Sequence, residues 1–135
     1  MFSKLLILLL LCSCTLCAFA QQASPLSYIK VNHHQTTRLS PSTSDQAATD
    51  WFNAHLVVFM NDARRQVEVS SKQKGFGSLA LRILDEQGTE LFKTIIGLQS
   101  YLDAPFKYGK GKYRLEVIYT GKEQTFQTIY GFICN

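Results

Sequence analysis

The stretch Lys112-Tyr113-Arg114-Leu115-Glu116-Val117 decides how the chain is read. Tyr113, Leu115, Val117 and, two residues on, Tyr119 share one side of an extended chain, while Lys112, Arg114 and Glu116 share the other. Successive side chains of a strand point to opposite faces, so this alternation predicts a strand with one face on a core and one in water. The same period recurs outward in both directions. Toward the C-terminus, Thr120-Gly121-Lys122-Glu123 is a turn, and Thr125 to Cys134, rich in β-branched and aromatic residues, is the last strand. Toward the N-terminus, Leu79, Leu81 and Ile83 face one way and Ala80 and Arg82 the other. Asp85-Glu86-Gln87-Gly88 is a tight turn ending in a glycine that tolerates positive φ, and Glu90 to Ile96 is the return strand. Further upstream, Leu56 to Met60 is a continuous apolar run, Asn61-Asp62-Ala63-Arg64 is a turn, and Gln66-Val67-Glu68-Val69-Ser70 alternates, which predicts a hairpin. Lys72 to Gly77 reads as a turn region, and Gly97 to Lys110, with Pro105 inside it, as a longer connection.

About seven strands separated by turns imply an all-β fold, an antiparallel β-sandwich. A small β-barrel is the alternative, because periodicity does not show how a sheet closes. Helix-length windows fail the 3.6 period outside the first twenty residues. The exception on a smaller scale is Ser42 to Asp45, a Ser-x-x-Asp capping box that predicts one helical turn leading to Trp51.

The chain divides into residues 1–20, a signal peptide; residues 21–50, a polar leader with one candidate strand; and residues 51–135, the sandwich. Lys4 forms a basic n-region, Leu5 to Leu11 an unbroken apolar h-region, and Ala18-Phe19-Ala20 a small-residue cleavage site. Cleavage after Ala20 leaves Gln21 first and places the protein outside the cytoplasm, secreted or periplasmic, with no transmembrane segment. Leu11-Cys12-Ser13-Cys14 resembles a lipobox, so a lipoprotein anchored at Cys14 is the minority alternative. In the leader, Tyr28-Ile29-Lys30-Val31 is the one short stretch with strand character.

With 135 residues, 46% hydrophobic and 18% charged, the chain fits one globular domain rather than a disordered one. Its net charge of +4 is too mild to argue for nucleic acid, and secretion argues further against that partner. Cleavage would remove Cys12, Cys14 and Cys17, leaving Cys134 with no internal partner. Stability then rests on core burial, and Cys134 reads as a small apolar residue ending the last strand, with intermolecular pairing or a reactive thiol as alternatives.

Motifs that carry chemistry are weak. Gly75-Phe76-Gly77-Ser78-Leu79-Ala80 matches G-x-G-x-x-A, but that fingerprint needs a helix after the glycines and a strand pattern follows here. The histidines are His33, His34 and His55. A zinc site needs three or four converging ligands, and adjacent histidines on an extended chain diverge, so no metal site is expected. Asp103 and the pair Asp85-Glu86 lie in turn-type segments rather than in a cleft. With no Gly-x-Ser-x-Gly elbow and no Cys–His arrangement, neither a catalytic residue nor a cofactor is expected, and the protein reads as a non-enzyme. The candidate binding surface lies from Tyr101 to Tyr113, where Tyr101, Phe106 and Tyr108 interleave with Lys107, Lys110 and Lys112. Aromatic faces beside cations bind sugars, anionic polymers or a partner protein. The alternative is that these aromatics fold back as a plug over the sandwich edge.

From about Leu56 to Cys134 the sequence resembles the family catalogued as domain of unknown function 3244, small secreted proteins of Gram-negative anaerobes. Leu79 to Gly88 looks like that family's strand followed by a D-x-x-G turn, Glu90-Leu91-Phe92 like its return strand, Gly111 to Val117 like its G-x-Y-x-L-x-I strand, and Tyr130-Gly131-Phe132 like its closing Y-G-x-F. The polar leader and Trp51 depart from the pattern. The resemblance implies an immunoglobulin-like β-sandwich and carries over no catalytic residues. The expected role is binding or structural at the cell envelope, through an unknown protein or glycan partner. One alternative is a protease inhibitor presenting the Gly97 to Lys110 loop; another is a subunit of an envelope assembly or surface structure.

Overall fold

The alternation seen around Leu115 builds two sheets packed face to face. The computed structural model describes residues 26–72, 77–98, 101–107 and 109–135; the signal-peptide expectation lies outside these. In chain order the elements are β1 (Tyr28–Lys30), β2 (Thr36–Arg38), α1 (Gln46–His55), β3 (Leu56–Asn61), β4 (Gln66–Ser71), β5 (Ser78–Asp85), β6 (Glu90–Gly97), β7 (Tyr101–Pro105), β8 (Gly111–Thr120) and β9 (Thr125–Cys134). One sheet has the order β1-β9-β8-β5-β6 and the other β2-β3-β4-β7. The architecture is the all-β sandwich expected, with nine strands among the described residues. No described helix is long and apolar enough to cross a membrane.

The predicted hairpins β3–β4, β5–β6 and β8–β9 all form, β5–β6 with a register shift between Ile83 and Leu84, and the inward residues of neighbouring strands meet. β3 and β4 pair Val58 with Val69 and Met60 with Val67, so four buried side chains leave the same face. β5 pairs with β8 through Leu81 and Val117, and through Ile83 and Leu115. β8 pairs with β9 through Leu115 and Tyr130, and through Tyr113 and Phe132. A slip of one residue would turn every one of these side chains to water, which is why the register is fixed. Phe106, Tyr113 and Phe132 close one end of the core, with Phe106 edge-on to Tyr113 at 4.8 Å and to Phe132 at 5.6 Å between ring centroids.

Three features differ from the sequence-based expectation. First, the single helical turn before Trp51 is a ten-residue helix, α1, capped by Asp45, whose carboxylate accepts the Ala47 N–H at 3.0 Å. Ala48, Trp51, Phe52 and His55 follow the spacing i, i+3, i+4, i+7 and form its inner stripe. Phe52 is fully buried, and Trp51 stacks between His55 and Tyr119, with centroids 4.5 and 4.0 Å away. An alanine and a histidine make half of this stripe, so it carries little apolar signal. Second, the Gly97 to Lys110 connection contains a strand: β7 pairs with β4, Ala104 opposite Val67, and buries Ala104. Third, the sandwich is not wholly antiparallel. β1 runs parallel to β9, Tyr28 beside Gly131 and Lys30 beside Ile133.

Gly131 explains how β1 docks. A Cβ there would lie 2.6 Å from the Ser27 carbonyl oxygen and 3.0 Å from the Tyr28 ring, so only glycine lets the two backbones approach. Residues 28–38, within the polar stretch, thereby supply an edge strand to each sheet.

Candidate functional site

The registers that turn Leu81 and Val117 inward also fix what lies on the outer face of the five-stranded sheet. Arg82 of β5 sits between Lys93 of β6 and Glu116 of β8. One row along, Ala80 sits between Ile95 of β6 and Ile118 of β8. An aliphatic row and a charged row therefore lie side by side across three strands. Ile95 is 68% exposed and Ile118 40% exposed, two of the three large exposed hydrophobic residues described. Arg82 Nε donates to Glu116, and the Arg114 guanidinium lies 3.7 Å from the other Glu116 oxygen. Arg82 and Glu116 of the charged row are thus paired with each other, while Ile95 and Ile118 of the aliphatic row stay exposed.

A depression of about 210 Å³ runs along the aliphatic row, lined by Ala80, Lys93, Ile95 and Ile118. It adjoins a second, more polar hollow of about 420 Å³ that shares Arg82, Glu116 and Ile118 and is walled by Ser42, Thr43 and Ser44. The wall is held by Ser42 bridging to Ile129 of β9, N–H to carbonyl at 2.8 Å. Both hollows are open troughs on a sheet rather than enclosed cavities.

The sequence-predicted surface is divided by the fold. Phe106 is 0% exposed and Tyr113 is buried, so these two aromatics plug the core end as the alternative expectation described. Tyr101 is 59% exposed on β7, and its hydrogen bond to Asp103 raises the phenol above its ordinary value. Lys107, Lys110 and Lys112 are exposed. Lys112 lies 5.4 Å from the Tyr28 ring, on the five-stranded sheet, whereas Tyr101 edges the four-stranded one. Tyr108 lies outside the described residues. The outer row Ile95–Ala80–Ile118 escaped the sequence reading because a single exposed isoleucine in a strand looks like any other strand residue. Only the cross-strand register brings two of them together.

The remaining candidates fall as follows. Gly77 leads directly into β5, so a strand and not a helix follows the glycines. Asp85 accepts the backbone N–H groups of Gln87 and Thr89, a turn-holding role. Asp103 pairs opposite Glu68 in the four-stranded sheet. Cys134 is free and buried at the end of β9, and burial pushes its thiol up, opposed by the nearby Arg65. His55 Nδ1–H donates to the Trp51 carbonyl at 2.7 Å. His33 and His34 do not diverge: their ring centroids are 3.8 Å apart.

No family model matches the chain, and no curated protein matches it in sequence. Among solved structures it is similar to a protein of the domain of unknown function 3244 family from Bacteroides vulgatus ATCC 8482, which has an immunoglobulin-like β-sandwich fold. The TM-score is 0.55 at 15% identity, over 73% of this chain and 97% of that one. The likeness establishes the immunoglobulin-like fold, and it falls on a member of the family whose strand pattern the sequence resembles.

Proposed function

We propose that this chain is a secreted or periplasmic recognition module that binds a protein partner at the cell envelope and catalyses no reaction. The observation that carries this reading is the aliphatic row Ile95–Ala80–Ile118, solvent-exposed beside the paired charges of Arg82 and Glu116. Apolar patches rimmed by polar groups mark surfaces that meet other macromolecules. Open troughs on a sheet suit a partner's surface better than a small molecule, which needs a concave pocket to cover most of its area. The row is aliphatic rather than aromatic, which favours a protein over a glycan. The inhibitor alternative is weaker, because its proposed loop is hydrogen-bonded to β4 as β7.

The test is crosslinked affinity capture of the tagged protein from its own envelope and medium, beside an Ile95→Ser/Ile118→Ser double variant. One stoichiometric partner captured by the parent and lost by the double variant supports the reading. A partner retained by that variant but lost in Tyr101→Ala/Lys110→Ala moves the surface to the β7 side. Location is checked by fractionation and N-terminal sequencing, with Gln21 expected as the first residue.

A further inference from the structure

The divergence of adjacent histidines holds only while the chain is extended, and at His33–His34 it is not. Asn32 to Gln35 is a turn, closed by the Gln35 N–H donating to the Asn32 carbonyl at 3.2 Å. His34 takes a φ of 57° there, in the left-handed region that histidine enters more readily than most side-chain-bearing residues. The reversal swings both imidazoles to one side. Asp62, opening the turn between β3 and β4, lies against them. Its Oδ2 accepts the His34 backbone N–H at 2.8 Å and is 3.4 Å from His33 Nδ1. Its Oδ1 accepts the Arg65 guanidinium at 2.6 Å. The carboxylate is therefore anchored with one oxygen turned to the histidines. One ligand atom from each of His33, His34 and Asp62 lies within 4.8 Å of the other two.

Among the described residues, His34 and Arg65 are the two non-glycine residues with positive φ, and both are hydrogen-bonded to Asp62, which ties the two turns together.

We infer that His33, His34 and Asp62 bind a divalent transition-metal ion of the zinc or copper type, with at least one coordination position open. Two imidazole nitrogens and a carboxylate oxygen are a donor set that zinc accepts at bond lengths of about 2.0–2.2 Å. Tetrahedral ligands at that length stand about 3.4 Å apart. The His33–Asp62 separation already has that value, and a ligand atom of the exposed His34 lies within 4.8 Å of both. Calcium and magnesium are disfavoured, because they need more oxygen ligands than this cluster offers. Arg65, and Lys30 in the same recess, are cations that hold the affinity down, so the ion must be one that imidazole nitrogen binds strongly. No residue of this cluster belongs to the outer sheet face, and the inference stands or falls separately from the proposed function.

The experiment is calorimetric titration of purified, tag-free protein with Zn2+ and with Cu2+, beside His33→Ala and His34→Asn. Asparagine is chosen because it tolerates the left-handed turn, and His33 is 77% exposed, so both variants should fold. One ion per chain is expected. Losing an outer partner of a metal site typically costs about tenfold in affinity, so each variant, lacking a ligand itself, should bind at least that much more weakly. In proton spectra, Zn2+ should shift the ring signals of His33 and His34 and leave those of His55, stacked on Trp51, in place. Absence of saturable binding for both ions overturns the inference. So does binding that survives both variants, or a shift at His55 instead.

Discussion

The inner and outer faces of β5 and β8 are made from alternate residues of the same two strands, and they share one backbone and one register. On the inner face, Leu81, Ile83, Leu115 and Val117 are buried against the opposite sheet. On the outer face, Ala80, Arg82, Glu116 and Ile118 meet solvent, with Arg82 and Glu116 joined in a small network of ion pairs. The inner face stabilises through area removed from water, roughly 25 cal/mol per Å² of apolar surface. The outer face gains less of this term, because its side chains stay partly in water, so folding constrains them less. An isoleucine inside therefore speaks of folding, and one outside speaks of contact.

The contrast can be broken by mutation, and the largest effect should come from the inside. Leu81→Ala removes a fully buried side chain and should cost about 2–5 kcal/mol in urea unfolding. A smaller loss would mean that the core collapses around the gap. Next is Gly131→Ala, which forces a methyl group against the Ser27 carbonyl; overpacking of this kind costs about 1–3 kcal/mol. Exchange protection of the β1 amides should fall in the same variant, and unchanged protection would mean that β1 docks without the close approach. Glu116→Gln on the outer face weakens a partly exposed ion pair, worth no more than about 1 kcal/mol. The difference should shrink further in high salt. Ile95→Ser/Ile118→Ser, at two partly exposed positions, is expected to cost only a fraction of the Leu81→Ala loss while abolishing partner capture. A large loss of stability there would show the outer row to be structural. Cys134, buried though solvent lies one residue beyond it at Asn135, should resist thiol labelling until the chain unfolds.

Much of the fold was legible because it rests on local alternation. Lys112 to Val117, Leu79 to Ile83 and Gln66 to Ser70 each state their own inward face, and Asp85 to Gly88 and Asn61 to Arg64 state where the chain reverses. Helix α1 was legible only in outline, since its stripe is made of Ala48, Trp51, Phe52 and His55 rather than of large aliphatic residues. β7 was hidden by its length and by Pro105, which ends the strand. The candidate surface from Tyr101 to Lys112 was the least legible. An aromatic residue in a connecting segment reads alike whether it enters the core, as Phe106 does, or stays outside, as Tyr101 does.

By itself the sequence determined that the chain is all-β, where most strands and turns lie, and which residues face inward, because side-chain direction along a strand depends only on parity. The tertiary structure alone decided which strands are neighbours, that β1 lies parallel to β9, that Ile95 and Ile118 flank Ala80, and that His33, His34 and Asp62 converge. Those are relations between segments distant in the chain. They are set by how two sheets share one core and by where the turns at its ends come to rest, and no local pattern encodes either.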